Sequence, residues 1–212
     1  MKKLLVLAMG LIIAISGAIA QPKTSEKALW KQAKKKAKEL TKEGWKTSGV
    51  KPLEVYFYDF YKKLEDSNNK EVLASVQGQT NVKTTNQAEK WAMWNRSTSY
   101  ATQAKSMIVG SITGETSGGT TEEGSLDNFY AAYEAAVAKE MEGEFKTPSI
   151  VLYKEKKDGT LDYRMYYILN EDAASEARIR AMENAMIESE FARANAERIS
   201  EFVRERVDFI SE

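Results

Sequence analysis

Asp158-Gly159 sits between two apolar-rich stretches, Ile150 to Lys157 and Thr160 to Leu169, and constrains the fold more than any other feature of the chain. This dipeptide is the preferred centre of a two-residue type I′ turn, whose twist matches that of the strands it joins. The spacing therefore predicts an antiparallel hairpin. In that register Ile150, Leu152, Tyr163, Met165 and Tyr167 share one face, expected to meet helices, while Glu155, Asp162 and Arg164 take the other. A third strand follows from the alternation in Glu71 to Val82, with Val72, Ala74 and Val76 on one side and Ser75 and Gln77 on the other. Gly78 marks a bulge or a close backbone contact within it.

Helical signals surround these strands. Thr24 and Ser25 can cap a helix that runs to Glu43, where Gly44 supplies a left-handed stop. Its apolar stripe is Leu29, Ala33, Ala37 and Leu40, with Trp30 beside it. After a connector from Trp45 to Val50, Pro52 suits the first turn of a second helix, Leu53 to Asp66. The aromatic run Val55 to Tyr61 within it fits a strand as well. Asn86 is the expected cap of a helix reaching Val109, with Met93, Trp94, Ser97, Tyr100, Ala101, Ala104, Met107 and Ile108 as its apolar face. A Gly/Ser/Thr-rich connector spans Gly110 to Ser125, and a further helix carries Leu126, Phe129, Tyr130, Tyr133, Val137 and Met141 at helical spacing. Trp91, Trp94, Tyr100 and Tyr133 are read as core aromatics in preference to the lining of a ligand groove.

From residue 171 to about Phe209 there is neither glycine nor proline. Met182, Ala185, Ser189, Ala192, Ala196, Ile199 and Val203 recur in steps of three and four, a heptad seam. The pattern predicts one helix of nearly forty residues, about 55 Å long, with the first helix as its partner in the same chain or another. Residues 21–51 hold ten lysines against three glutamates, and residues 171–212 hold eleven acidic residues against six arginines. That complementarity would orient the pair and add little to stability.

The amino terminus reads as a cleavable export signal. Met1-Lys2-Lys3 is a basic start, Leu4 to Ile15 is almost wholly apolar, and Ala18-Ile19-Ala20 offers small residues for cleavage. Export to the periplasm or beyond follows, with the mature chain starting at Gln21, soluble or peripheral to the outer membrane and free of a transmembrane segment. The organisation expected is a signal at 1–20, a basic helix and an aromatic helix over 21–69, an α+β domain over 70–170, and a long amphipathic helix over 171–212.

Cysteine and histidine are both absent. Thiol nucleophiles, disulfides, imidazole or thiolate metal sites and Ser-His-Asp arrangements are thereby excluded. Carboxylate, lysine and tyrosine chemistry remains possible. The loop from Gly110 to Gly119 lacks the Gly-Lys-Ser/Thr ending of a phosphate loop and is followed by Glu122-Glu123, so it reads as a connector. Glu115, Glu122 and Glu123 read as solvated carboxylates rather than a calcium or acid–base cluster. Basic residues (Lys and Arg) and acidic residues (Asp and Glu) balance at 31 each, which gives no drive toward nucleic acid.

Val76-Gln77-Gly78 on a strand, the alanines Ala88, Ala92, Ala101 and Ala104 on a helix, and a hairpin ending Tyr166-Tyr167-Ile168-Leu169 together resemble a bacterial envelope domain. It occurs in outer-membrane lipoproteins of about twenty kilodaltons and at the start of periplasmic flagellar-assembly proteins. The resemblance covers about residues 71–170. It implies an α+β fold, a helix pair on a small antiparallel sheet, used in assembly and with no catalytic residues to carry over. This chain lacks the lipid-bearing cysteine of the lipoprotein members. Gly44-Trp45-Lys46 with Pro52-Leu53 is also similar to secreted proteins of Bacteroidetes-type bacteria.

The expected function is a non-enzymatic envelope protein that scaffolds or binds a protein partner, or self-associates through the carboxy-terminal helix, without cofactor, metal or nucleic acid. The binding surface expected comprises Lys34, Lys35, Lys36 and Lys38 on the first helix and Ala192, Ala196, Ile199 and Val203 on the last. Two alternatives are a periplasmic carrier or chaperone and a carboxylate-dependent glycan-acting enzyme.

Overall fold

The computed structural model describes residues 24–77, 82, 84–113, 120–187 and 203, without the side chains of 111–113 and 120–125. Along the chain run α1 (Glu26–Lys42), β1 (Lys46–Thr47), α2 (Leu53–Leu64), β2 (Asn69–Val76), α3 (Thr85–Thr113), α4 (Thr120–Glu144), β3 (Ile150–Glu155), β4 (Leu161–Asn170) and α5 (Glu171–Met186). The fold is α+β, and the four strands among the described residues form one antiparallel sheet in the order β1-β3-β4-β2.

Local chemistry sets many of the boundaries. Ser25 caps α1, its hydroxyl accepting from the Ala28 amide at 3.3 Å. At the other end Gly44 takes φ +88° and the Trp45 amide donates to the Leu40 carbonyl at 3.0 Å. That is the Schellman closure a glycine permits, and it turns Trp45 into the core. Val55 to Tyr61 is helical, because in α2 the three-residue spacing of Phe57 and Phe60 buries both while Tyr56, Tyr58 and Tyr61 flank them. Thr84, not Asn86, caps α3: its hydroxyl accepts from the Gln87 amide at 3.3 Å and its carbonyl from the Ala88 amide. The expected connector over 110–125 is shorter than its composition suggests, since α3 continues to Thr113 and α4 begins at Thr120. The residues around Gly78 lie outside the described residues.

The hairpin forms, but its turn holds three residues rather than two. Gly159 donates to the Lys156 carbonyl at 3.1 Å, and Lys156 donates to the Thr160 carbonyl at 2.9 Å. Only Gly159 has positive φ, +78°. This is a type I turn closed by a glycine bulge, the common three-residue alternative to type I′. Asp158 fits it by accepting from both the amide and the hydroxyl of Thr160, at 3.0 and 2.6 Å. Those bonds hold its carboxyl below the usual range.

One added residue moves the pairing by one, so Ile150 faces Tyr166 and Leu152 faces Arg164. A one-residue slip sends every side chain of a strand to the other face. Ile150 and Leu152 therefore part from Tyr163, Met165 and Tyr167, correcting the single apolar face expected above. The sheet is apolar on both sides. One side carries Val72, Ala74, Val76, Tyr163, Met165, Tyr167 and Leu169 against α3, α4 and α5. The other carries Ile150, Leu152 and Tyr166 against α1, α2 and Trp45. The result is three layers, helix pair, sheet and helix trio, with residues 24–69 sharing both sheet and core with the hairpin.

The carboxy-terminal segment departs most from expectation. The described helix ends at Met186, and Arg178 Nε donates to the Val203 carbonyl at 2.9 Å. An uninterrupted helix would hold residues 178 and 203 about 37 Å apart, so the single helix of nearly forty residues is not formed. Nor does α5 pack on α1 as a coiled coil within the chain. The sheet separates them: Ala174, Ala177, Ala181, Met182 and Ala185 enter the core shared with α3 and α4, while the α1 stripe packs with α2.

Candidate functional site

The lysines of α1 divide into two groups. Lys34, Lys35 and Lys38 are exposed on the face opposite the buried Leu29, Ala33, Ala37 and Leu40. Lys36 leaves that face: it is half-buried and pairs with Glu39 at 3.7 Å, and while burial raises the Glu71 carboxyl of β2 above its usual range, the Lys36 charge opposes that shift only in part. Lys34 lies 5.9 Å from the centroid of the Trp30 ring, which stacks on Tyr58 of α2 at 4.4 Å. Of the predicted carboxy-terminal seam, Ala192, Ala196 and Ile199 lie outside the described residues. Val203 is buried in the α3–α5 core, so it is not surface.

The four aromatics assigned to the core separate in pairs. Tyr100 and Tyr133 are fully buried. Trp91 and Trp94 are 43% and 54% exposed and meet edge to face with ring centroids 6.1 Å apart. The reason is that α3 enters its layer through Ala88 and Ala92, both buried, which turns the neighbouring indole-bearing side outward. Periodicity on α3 misleads here because apolar residues occur around most of the helix.

Inside the α3–α5 layer lies a charged cluster that sequence reasoning missed. Arg178 is 1% exposed, and each guanidinium nitrogen has an acceptor: Nε on the Val203 carbonyl, Nη1 on the Tyr100 hydroxyl, and Nη2 on Glu171 Oε1 at 3.0 Å. Glu171, also buried, opens α5 with Lys70 of β2 at 3.8 Å from its other oxygen. The available signal was the placement of both charges within the alanine stripe of α5, seven residues apart and so on one face. The cluster joins α5, α3 and the segment at Val203. Every guanidinium nitrogen has an acceptor, while Glu171 Oε2 has no hydrogen bond among the described residues and only the Lys70 ammonium at 3.8 Å, an arrangement that suits a clamp.

Burial pushes the Tyr100 phenol up to about 12, although the Arg178 charge and hydrogen bond pull it down. Burial raises Tyr133 and Tyr167 as well. A raised folded-state pKa means these groups stabilise the fold fully below about pH 10, the ordinary phenol value, and lose that contribution as pH rises through the folded value. Absorbance at 295 nm should therefore show Tyr100, Tyr133 and Tyr167 ionising only with loss of tertiary structure, near pH 12 or above. One smooth transition near pH 10 with the fold intact would contradict the burial.

Among the described residues no group of three or more Asp or Glu side chains could hold a metal ion, and no helix is long and apolar enough to cross a membrane. The side chains of Glu115, Glu122 and Glu123, like residues 1–20, lie outside the described residues. No protein-family model, curated protein or solved structure matches the chain.

Proposed function

We propose that the protein is exported to the cell envelope and acts there as a non-enzymatic binding protein, with Trp91 and Trp94 as the centre of the surface that takes a protein partner. The observation that carries this reading is the exposure of two adjacent indoles on a helix whose other large aromatic, Tyr100, is buried. Large exposed aromatics cost the free monomer contact with water and are the residue type most enriched at energetic centres of interfaces. The pattern of Met1 to Ala20 supports the location. The absence of cysteine and histidine supports binding over chemistry.

The test compares wild type with Trp91→Ala/Trp94→Ala as bait in the envelope fraction. Both positions are exposed, so melting temperature should stay within about 2 °C, as for surface substitutions generally. Loss of two central aromatics should cut recovery of the specific partner at least about tenfold. Equal recovery by both baits would remove the indole pair from the interface.

A further inference from the structure

The exposed face of α1 has a use that the indole surface does not explain, and it lies in the opposite helix layer. Placed on a helix of 3.6 residues per turn, Lys27, Lys31, Lys34, Lys35, Lys38 and Lys42 fall within a sector of about 100°, and they span about 22 Å along the axis. The buried stripe Leu29, Ala33, Ala37 and Leu40 lies on the far side, so the lysine sector faces outward. All six are exposed. Glu26, Glu39 and Glu43 fall outside the sector, and their ion pairs go to Lys62, Lys36 and Arg164 instead. Among the described residues, none of the six lysines has a carboxylate within ion-pair distance. Six like charges in one row repel one another, a cost that an external polyanion would relieve.

We infer that this face docks the protein on an anionic phospholipid bilayer. Three observations select a lipid surface from among the polyanions. The six lysines occupy one side of α1 along nearly its whole length, matching a plane rather than a groove. The chain has no arginine before Arg96. The sector thus offers point charges suited to a diffuse headgroup layer and no planar forks for bidentate phosphate recognition. Trp30, the one aromatic at its edge, is half-buried and stacked on Tyr58 at 4.4 Å, so one face of its ring is already occupied and is not available to a nucleobase. That half-buried pair instead occupies the flank where interfacial aromatics meet headgroups.

The probe is a set of vesicles containing 30 mol% phosphatidylglycerol in phosphatidylcholine, compared with pure phosphatidylcholine, at about 20 mM salt where screening is weak. The protein is the chain from Gln21 onward, which holds every described residue. Co-sedimentation should occur with the anionic vesicles only and disappear near 0.5 M salt. Each lysine near such a surface contributes about fivefold to partitioning. Lys31→Gln/Lys35→Gln/Lys38→Gln should therefore weaken binding about 100-fold, and the corresponding triple arginine variant should retain it. Lys139→Gln/Lys146→Gln/Lys157→Gln removes the same net charge from exposed positions elsewhere and should change binding less than about threefold by the same measure. Equal losses in the two glutamine triples would reduce the effect to net charge and overturn the docking face. Equal binding to both vesicle types, or tighter binding to a single-stranded oligonucleotide than to anionic vesicles, would overturn it too.

Discussion

Arg178→Met is expected to lower stability by about 3–5 kcal/mol, the range found when one member of a buried ion pair is removed. The substitution keeps an unbranched stem in the core but leaves the Glu171 carboxylate buried without its guanidinium. It also strips the Tyr100 hydroxyl and the Val203 carbonyl of their donor, and each unpartnered buried polar group adds to the cost. For a domain of this size the melting temperature should fall by about 6–20 °C. A second substitution separates the charge from the packing. Adding Glu171→Leu removes the stranded carboxylate, and apolar replacement of a whole buried pair is often neutral, so the double variant should recover well over half of the loss. If Arg178→Met melts within about 2 °C of wild type, smaller than any such cost, the guanidinium is not the clamp that its three hydrogen bonds describe.

Phe57→Ala should have a comparable effect for a different reason. Phe57 is fully buried between α2 and the sheet, edge to face with Tyr166 at 5.2 Å and with Phe60 at 6.4 Å. Truncating a buried phenylalanine costs about 3–5 kcal/mol through lost transfer energy and the cavity left behind. The α1–α2 layer covers the sheet face formed by Ile150, Leu152 and Tyr166. A helix pair belonging to the core should melt with it in one transition, displaced to lower temperature. Two separate transitions, with only the first moved by the substitution, would show that residues 24–69 are an appendage to a self-sufficient 70–170 domain.

The two surfaces proposed for binding lie in different helix layers, the lysines on α1 and the indoles on α3. Docking through one would leave the other open to a partner. The lysine row was legible in the sequence because the α1 stripe is narrow and regular, so its solvent face follows from 3.6-residue periodicity. Even so, Lys36 belongs to the inner flank with Glu39 and not to that row. The indoles were hidden by α3, where apolar residues on several sides leave no single face to choose.

Features settled by nearest neighbours were decided by the sequence itself. Ser25 and Gly44 bound α1 through hydrogen bonds within a few residues, Asn170 caps α5 in the same way, and Asp158-Gly159 reverses the chain between the paired strands β3 and β4. Val72, Ala74 and Val76, or Phe129, Tyr133 and Val137, reveal their buried face by period alone. The turn type was not local in this sense. Asp-Gly is compatible with a two-residue type I′ turn and with a type I turn plus glycine bulge, and the choice decides which helix layer Ile150 and Leu152 meet. Burying them against Phe57 and Trp45 requires the longer loop, so packing on both sheet faces selected it. The absence of glycine and proline after residue 171 likewise permits one long helix without requiring it. A lone helix of that length leaves its apolar positions in water. Returning Val203 to the core buries it and gives the Arg178 guanidinium a backbone acceptor, a gain that depends on residues far apart in the chain and is therefore a property of the tertiary structure.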